Sequence, residues 1–419
     1  MIPKTSSAIQ NPPAEQYLPS YKIALLILAI LYFMLGFITV LNDTLVPFFK
    51  EGFNLSYAQS SLVQFYFYLT YGLISIPAGK VVDRIGYKNG MVLGFCIAAF
   101  GTLLFYPASV FHEYGLFLGA LFVIAIGIVL LQVSANPYIT ILGPAKSAAS
   151  RLTFIQGVGS LGTTLAPIFG AQFILARVVE QGSASSVLVK PYLVIGSGLF
   201  LIGIIIFSIK LPVVKVIQNE GSQLVQRLTT IQVIQRFPNL KFGIFALFMY
   251  VGAEVGIGTY LTNYIADRLS ITESSASFYL SYYWGGMLVG RFLGAFFLQR
   301  FQSTRVLFVV SFIAALLVLS SIIAQGHFSV WCMVLAGLCN SIMFATIFSL
   351  SIAGLGNNTG TASGLLSTAI VGGAMMTYLQ GVLKDRYSWE AAFVLPILSY
   401  IVIMCFSVYL SSSYQRQRQ

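Results

Sequence analysis

The chain of 419 residues is 57% hydrophobic and only 8% charged, carries a formal net charge of +11 and has a mean hydropathy of +0.86. Soluble domains carry about 25% charged residues, so this composition excludes a large soluble core and describes an integral membrane protein. The positive balance does not mark a nucleic-acid binder, because the basic residues are scattered through short loops and form no single face.

The first stretch, MIPKTSSAIQNPPAEQYLPSYK, is polar and Pro-rich and lacks the basic, apolar, small-residue order of a cleaved signal. It predicts a short cytoplasmic tail over 1–21. A hydrocarbon core of about 30 Å needs roughly 20 apolar residues in a helix. Runs of that length predict twelve helices at 22–49, 58–80, 89–109, 115–140, 150–177, 191–211, 241–266, 275–299, 305–324, 328–354, 360–383 and 389–412.

The first helix holds Asn42 and Asp43 within GFITVLNDTLVPFF. A charge at the bilayer centre costs at least about 2.5–3.5 kcal/mol. An acidic residue retained there usually faces a cavity and handles an ion or substrate; the plainer reading is a carboxylate reaching interfacial water. The second helix has Gln64, Tyr68 and Tyr71 on one stripe.

Between the second and third helices stands GKVVDRIGYK, residues 79–88. Gly79 allows close helix packing, Gly86 allows a tight turn, and Asp83 and Arg84 sit between them. The spacing G-x-x-x-D-R-x-G-x-K resembles the signature loop of the major facilitator superfamily. In that superfamily the loop helps lock two halves together in the outward-facing state, so the resemblance implies a gating role for Gly79, Asp83, Arg84 and Gly86.

Helix 4 carries Gln132, Asn136 and Thr140 on one face, and helix 5 carries Gln156, Gly159, Ser160, Thr163 and Pro167. Small residues and amides also serve interhelical packing. That reading suits Gly159, Thr163 and Pro167, whereas Gln132 and Gln156 predict a cavity. The longest connection, about 212–240, is polar and basic and predicts a linker. Helix 7 holds Glu254 thirteen residues after Lys241 and thirteen before Asp267, at mid-helix. Helix 8 offers Tyr282, Tyr283 and Trp284, helix 10 offers Asn340, and helix 11 reaches Gln380 through Thr368, Gly372 and Met376. The four cysteines lie in apolar runs without metal-ligand spacing and predict buried thiols.

With both ends inside, seventeen of the 23 Lys and Arg fall in inner segments and six outside, which supports an even helix count with cytoplasmic termini. An ungapped offset of 216 places Gly36 on Gly252, Leu45 on Leu261, Ser61 on Ser277 and Arg84 on Arg300. The predicted organisation is therefore all-α: a six-helix bundle over 22–211, a cytoplasmic linker over 212–240, a second bundle over 241–412 and a tail over 413–419. Substrates of such repeats bind between the halves near mid-membrane.

Amides both donate and accept hydrogen bonds, as sugar hydroxyls do, and aromatic faces suit the apolar face of a pyranose. A phosphate ester asks for buried Arg or Lys, and the helix interiors are read as having none. The inventory favours a small neutral polyol as substrate and leaves peptides and nucleosides open.

Five segments now carry a closer resemblance: GFITVLND (36–43), LQVSANPYIT (131–140), SLGTTLAPIFG (160–170), YYWGGMLVGRF (282–292) and NSIMFATIFSL (340–350). They resemble the fucose–galactose–glucose symporter family, a sugar:cation branch of the major facilitators. The resemblance implies alternating access with a hexose carried inward beside a cation, and a bacterial inner membrane. Asp43 stands where fucose-transporting members have an essential Asp, again beside Asn42. Gln132 stands where those members have a protonatable Glu, and Gly159 where the family usually has Asn; glucose/galactose members share Glu254.

The expected site is thus Asp43 with Asn42 for ion coupling, and Gln132, Gln156, Glu254, Asn340, Trp284, Asn136 and Gln64 for substrate. The coupling ion is a proton or sodium, the latter held at Asp43 and Asn42. No cofactor, structural metal or nucleic acid is expected, and the unit is expected to be a monomer. A facilitated uniporter, an exporter and a non-transporting sugar sensor are the rival readings. An enzyme is not expected, because His112 and His327 lie near outer loops and no HExxH or triad arrangement occurs.

Overall fold

The computed structural model describes residues 20–53, 62–170, 188–212 and 229–416, and these are almost wholly helical. In chain order the first group comprises α1 (Ser20–Gly52), α2 (Leu62–Ile85), α3 (Tyr87–Leu103), α4 (Phe105–Phe111), α5 (Tyr114–Ile141), α6 (Ala148–Gly170) and α7 (Val189–Ser208). The second comprises α8 (Thr230–Arg236), α9 (Pro238–Leu269), α10 (Glu273–Arg300), α11 (Ser303–Ile323), α12 (Gly326–Asn340), α13 (Met343–Ile352), α14 (Thr359–Thr368), α15 (Gly372–Arg386) and α16 (Trp389–Arg416).

Three predicted helices are broken, each for a local reason. Leu104 separates α3 from α4, because Pro107 lacks an amide proton and its ring crowds the carbonyl four residues back. Ser341 and Ile342 separate α12 from α13. There the Ser341 hydroxyl donates to Leu338 O at 2.6 Å, and the Tyr250 hydroxyl donates to Asn340 O at 3.0 Å. A 3₁₀ turn over Ala369–Val371 separates α14 from α15, just before the Gly372–Gly373 pair.

Among the described residues, nine helical segments are long and apolar enough to cross a membrane. The predicted spans missing from that set are α2, α6 and α10, and these are the helices along which the two groups meet. Their polar content belongs to an interior seam, so hydropathy alone undercounts them. The outward faces are apolar: Val194 is 70% exposed, Phe207 66% and Ile323 74%. A surface this greasy is a liability in water and is solvated by lipid.

Within the first group α1 lies along α6, and α3 lies against α5 and α7. Within the second, α11 lies along α16, and α9 packs on α15 and α16. The groups meet where α2 runs along α14 and where α6 runs along α10 and α13. Gly36 and Gly252, paired by the 216-residue offset, occupy corresponding crossings: a Cβ on Gly36 would collide with Gly159 O on α6, and one on Gly252 with Met376 on α15.

Candidate functional site

A cavity of about 290 Å³ lies between the two groups, at the lower end of the roughly 300–1,000 Å³ of small-molecule sites. The first group contributes Tyr32, Gly36 and Thr39 from α1, Phe67 and Tyr71 from α2, Gln132 and Asn136 from α5, and Gln156, Gly159 and Thr163 from α6. The second contributes Val251 and Glu254 from α9, Arg291 from α10, Phe344 from α13 and Ile370 from the 3₁₀ turn.

The wall from the first group is an amide wall. Asn136 is buried, and its Oδ1 accepts from the Tyr32 hydroxyl. Gln132 sits one helical turn away on the same face. The Gln156 amide stands beside Tyr32, and its buried Oε1 has no donor within the protein. A buried acceptor without a partner carries a desolvation penalty of about 1–3 kcal/mol, which a ligand hydroxyl placed in the cavity would relieve. Gly159 holds α1 close, since a Cβ there would stand 3.0 Å from Tyr32 O. An Asn at this position would have to push α1 outward.

The facing wall is charged. Glu254 lies beside the Tyr250 hydroxyl, which donates to Asn340 O, and in the field of Arg291. Its backbone carbonyl accepts from the Tyr283 hydroxyl at 3.2 Å. Arg291 crosses the seam to donate through Nη1 to the Ser160 hydroxyl, while its buried Nε has no acceptor within the protein.

Arg291 corrects two expectations. It belongs to the cavity and not to the inner loop segments, so one of the seventeen inner charges is reassigned, and the helix interiors do hold a basic side chain. The signal was available: the apolar run FLGAFFL continues past Arg291, which places the guanidinium inside the span and not at its end. Tyr32 and Thr39 were also missed, although they share the helical stripe of Gly36.

Two expected substrate contacts are not at the cavity wall. Asn340 is fully buried, and its amide is already used: Nδ2 donates to Tyr283 at 2.9 Å, and Oδ1 accepts from Tyr400 at 2.8 Å. With Tyr250 on its carbonyl, it ties three tyrosines together at the break between α12 and α13. Trp284 is 44% exposed and packs over Gly258. Side chains of Asn42, Asp43 and Gln64 lie outside the described residues.

The loop residues of GKVVDRIGYK join the groups. Asp83 accepts from the Thr361 amide at 2.8 Å and from the Thr361 hydroxyl, at the first turn of α14. A carboxylate there also meets the positive end of the helix dipole. A Cβ on Gly79 would stand 2.6 Å from Gly360 O, so this close crossing requires glycine. Gly86 has φ of 83° and makes the turn into α3, and Arg84 is exposed. Two further bonds cross the seam, Ser150 to Ala295 O at 2.7 Å and Ser363 to Val133 O at 3.0 Å.

Comparison with known proteins gives a consistent picture. Residues 28–377 match the Major Facilitator Superfamily model. The chain is 41% identical over 404 residues to a glucose/galactose transporter of Brucella abortus, covering 94% of this chain and 95% of that protein. It is 32% identical over 411 residues to the L-fucose-proton symporter of Escherichia coli, covering 93% and 92%. Among solved structures, the major facilitator transporter FucP in the outward conformation superposes with a TM-score of 0.85 at 31% identity, over 93% of this chain and 99% of that one.

Proposed function

The chain belongs to the major facilitator superfamily, within its fucose–galactose–glucose symporter family, and from that premise we propose that it imports a hexose together with a proton by alternating access. Glucose or galactose is the preferred substrate, in keeping with the names of the relatives that match over most of their length. The observation that carries the reading is the cavity between the two groups, with amides on one wall and an unpartnered buried Gln156 Oε1. Such a wall matches the mixed donor and acceptor pattern of sugar hydroxyls.

We further propose twelve spans, with both termini in the cytoplasm of a bacterial cell and 212–240 linking two six-helix halves in a monomer. Nine apolar segments plus the three polar seam helices support that number, and the excess of Lys and Arg at one side supports the orientation. On this reading the cavity opens outward, and Asp83, Gly79 and the Ser150 and Ser363 bonds close the cytoplasmic side.

Gln132, Asn136 and Gln156 hold hydroxyl groups, Glu254 and Arg291 face them, and Asp43 carries the coupling proton. Spacing supports the last role, because residues 32, 36, 39 and 43 form one helical stripe and the first three line the cavity. Desolvation as the cavity closes would favour proton loading outside, and rehydration would favour release inside. Gln132 carries no proton, so on this reading Asp43 alone of the two positions sets the coupling.

Radiolabelled glucose and galactose uptake into proteoliposomes tests the proposal. A proton gradient drives accumulation in the wild type. The Asp43→Asn variant loses uphill uptake and retains sugar exchange. Accumulation driven by sodium alone would move Asp43 and Asn42 to an ion site, and unimpaired uphill uptake by Asp43→Asn would remove Asp43 from coupling.

A further inference from the structure

A second cavity opens sideways, away from the central site. Around Gly252 and Gly256, α9 is pinched against Met376 and Gln380 of α15. Toward its start, α9 parts from α14 and leaves a cleft of about 730 Å³. Phe242, Phe245 and Phe248 line one side, Leu365 and Ala369 the other, and Ile234 of α8 closes the end. Phe242 and Phe245 are about half exposed on that side. The one charged group on the lining is Lys241, an exposed residue in the first turn of α9, and the exposed Arg236 ends α8 just before it.

An apolar trench with a cation at its mouth, on the outer face of a membrane protein, has the chemistry of a phospholipid: chain along the phenylalanines, phosphate on the lysine. Basic pockets between membrane helices select anionic headgroups, and a zwitterionic headgroup gains less because its own ammonium opposes the lysine. The location adds a consequence. Ala369 and Val371 line the cleft, whereas Ile370 between them lines the central cavity. One 3₁₀ turn therefore separates the two spaces.

We infer that the cleft between α9 and α14 is a binding site for one anionic phospholipid, whose phosphate pairs with Lys241 and whose acyl chain braces the Ala369–Val371 turn from behind. The occupant comes from the bilayer: apart from Lys241 at the mouth and Thr368, whose hydroxyl already donates to Gly364 O, the lining is apolar, and a free phosphate would leave the phenylalanine trench unfilled. The inference depends on the membrane assignment and not on the proposed substrate.

Native mass spectrometry of the full chain, released from micelles supplied with equal phosphatidylglycerol and phosphatidylcholine of matched chains, tests it. The wild type retains phosphatidylglycerol in preference. Lys241→Gln lowers that retention about fivefold, the factor given by about 1 kcal/mol for one basic residue near a lipid phosphate. Thr368→Phe, which projects a ring into the cleft, lowers retention of both lipids. Equal retention of the two lipids by the wild type, undiminished phosphatidylglycerol on Lys241→Gln, or unchanged lipid on Thr368→Phe would each overturn the site. Because retention is read without transport, a failed uptake assay would leave this result standing.

Discussion

The two walls of the central cavity are built from different chemistry. The first group presents Gln132, Asn136 and Gln156, neutral groups that both donate and accept. The second presents Glu254 and Arg291, opposite charges held among Tyr250, Tyr283 and apolar side chains. An amide wall can read the pattern of a neutral ligand's hydroxyls without holding net charge in the membrane. A charged wall needs internal compensation, because an ion without a partner is costly there. Arg291 offsets part of that cost through its field and also reaches Ser160 on the opposite group, so it couples the charged wall to the seam in a way no amide does.

Changes to the charged wall should therefore be the more damaging and the less additive. Replacing either partner, Glu254→Gln or Arg291→Gln, leaves the other uncompensated. Fully buried pairs lose about 3–5 kcal/mol in this way; for a pair lining a solvent-accessible cavity about 2 kcal/mol is expected, near a 30-fold loss in exchange rate. The double variant should lose less than the product of the singles, and a double-mutant cycle on exchange kinetics measures the coupling. Strict additivity would mean that the two charges act independently and would break the comparison.

On the amide wall, Gln156→Ala should weaken sugar binding by about 1–1.5 kcal/mol, or roughly 5–12-fold in Kd. Calorimetry of the purified protein checks this, and the loss should be similar in the presence of an Arg291 substitution. At the seam, Asp83→Asn replaces a charge-assisted bond to Thr361 by a neutral one, for about 1 kcal/mol. A cysteine placed by Ser363→Cys in a background without native cysteines should then react about fivefold faster with an impermeant thiol reagent applied from the loop side. The smallest effect is expected at Trp284: Trp284→Leu should alter Kd less than about twofold, since the indole packs on Gly258 and lies off the cavity wall.

Much of the site was legible in one dimension. Glu254 stood out as a mid-helix carboxylate, and Gln132, Asn136 and Gln156 shared helical stripes, which is enough to bring them to one face. The loop GKVVDRIGYK was legible because its glycines and Asp83 have local roles, a turn and a helix-end contact. Asn340 was misleading for a physical reason. A buried amide can satisfy a ligand or its own neighbours, and only the positions of Tyr250, Tyr283 and Tyr400 decide between them. Arg291 was passed over because a basic residue near a predicted helix end looks like a topology signal, and its true depth depends on where α10 begins and ends.

Composition and periodicity by themselves determined that the chain lives in a membrane, that it is helical and which residues are polar within it. Transfer free energy and helical pitch act residue by residue and need no knowledge of the fold. The tertiary structure alone decided which polar residues share a cavity, that Arg291 bridges the two groups, and that α9 and α14 part to leave a lateral cleft. Those outcomes depend on which helix faces meet, and that is set by close crossings such as Gly36 on α6 and Gly79 on α14, between segments more than a hundred residues apart.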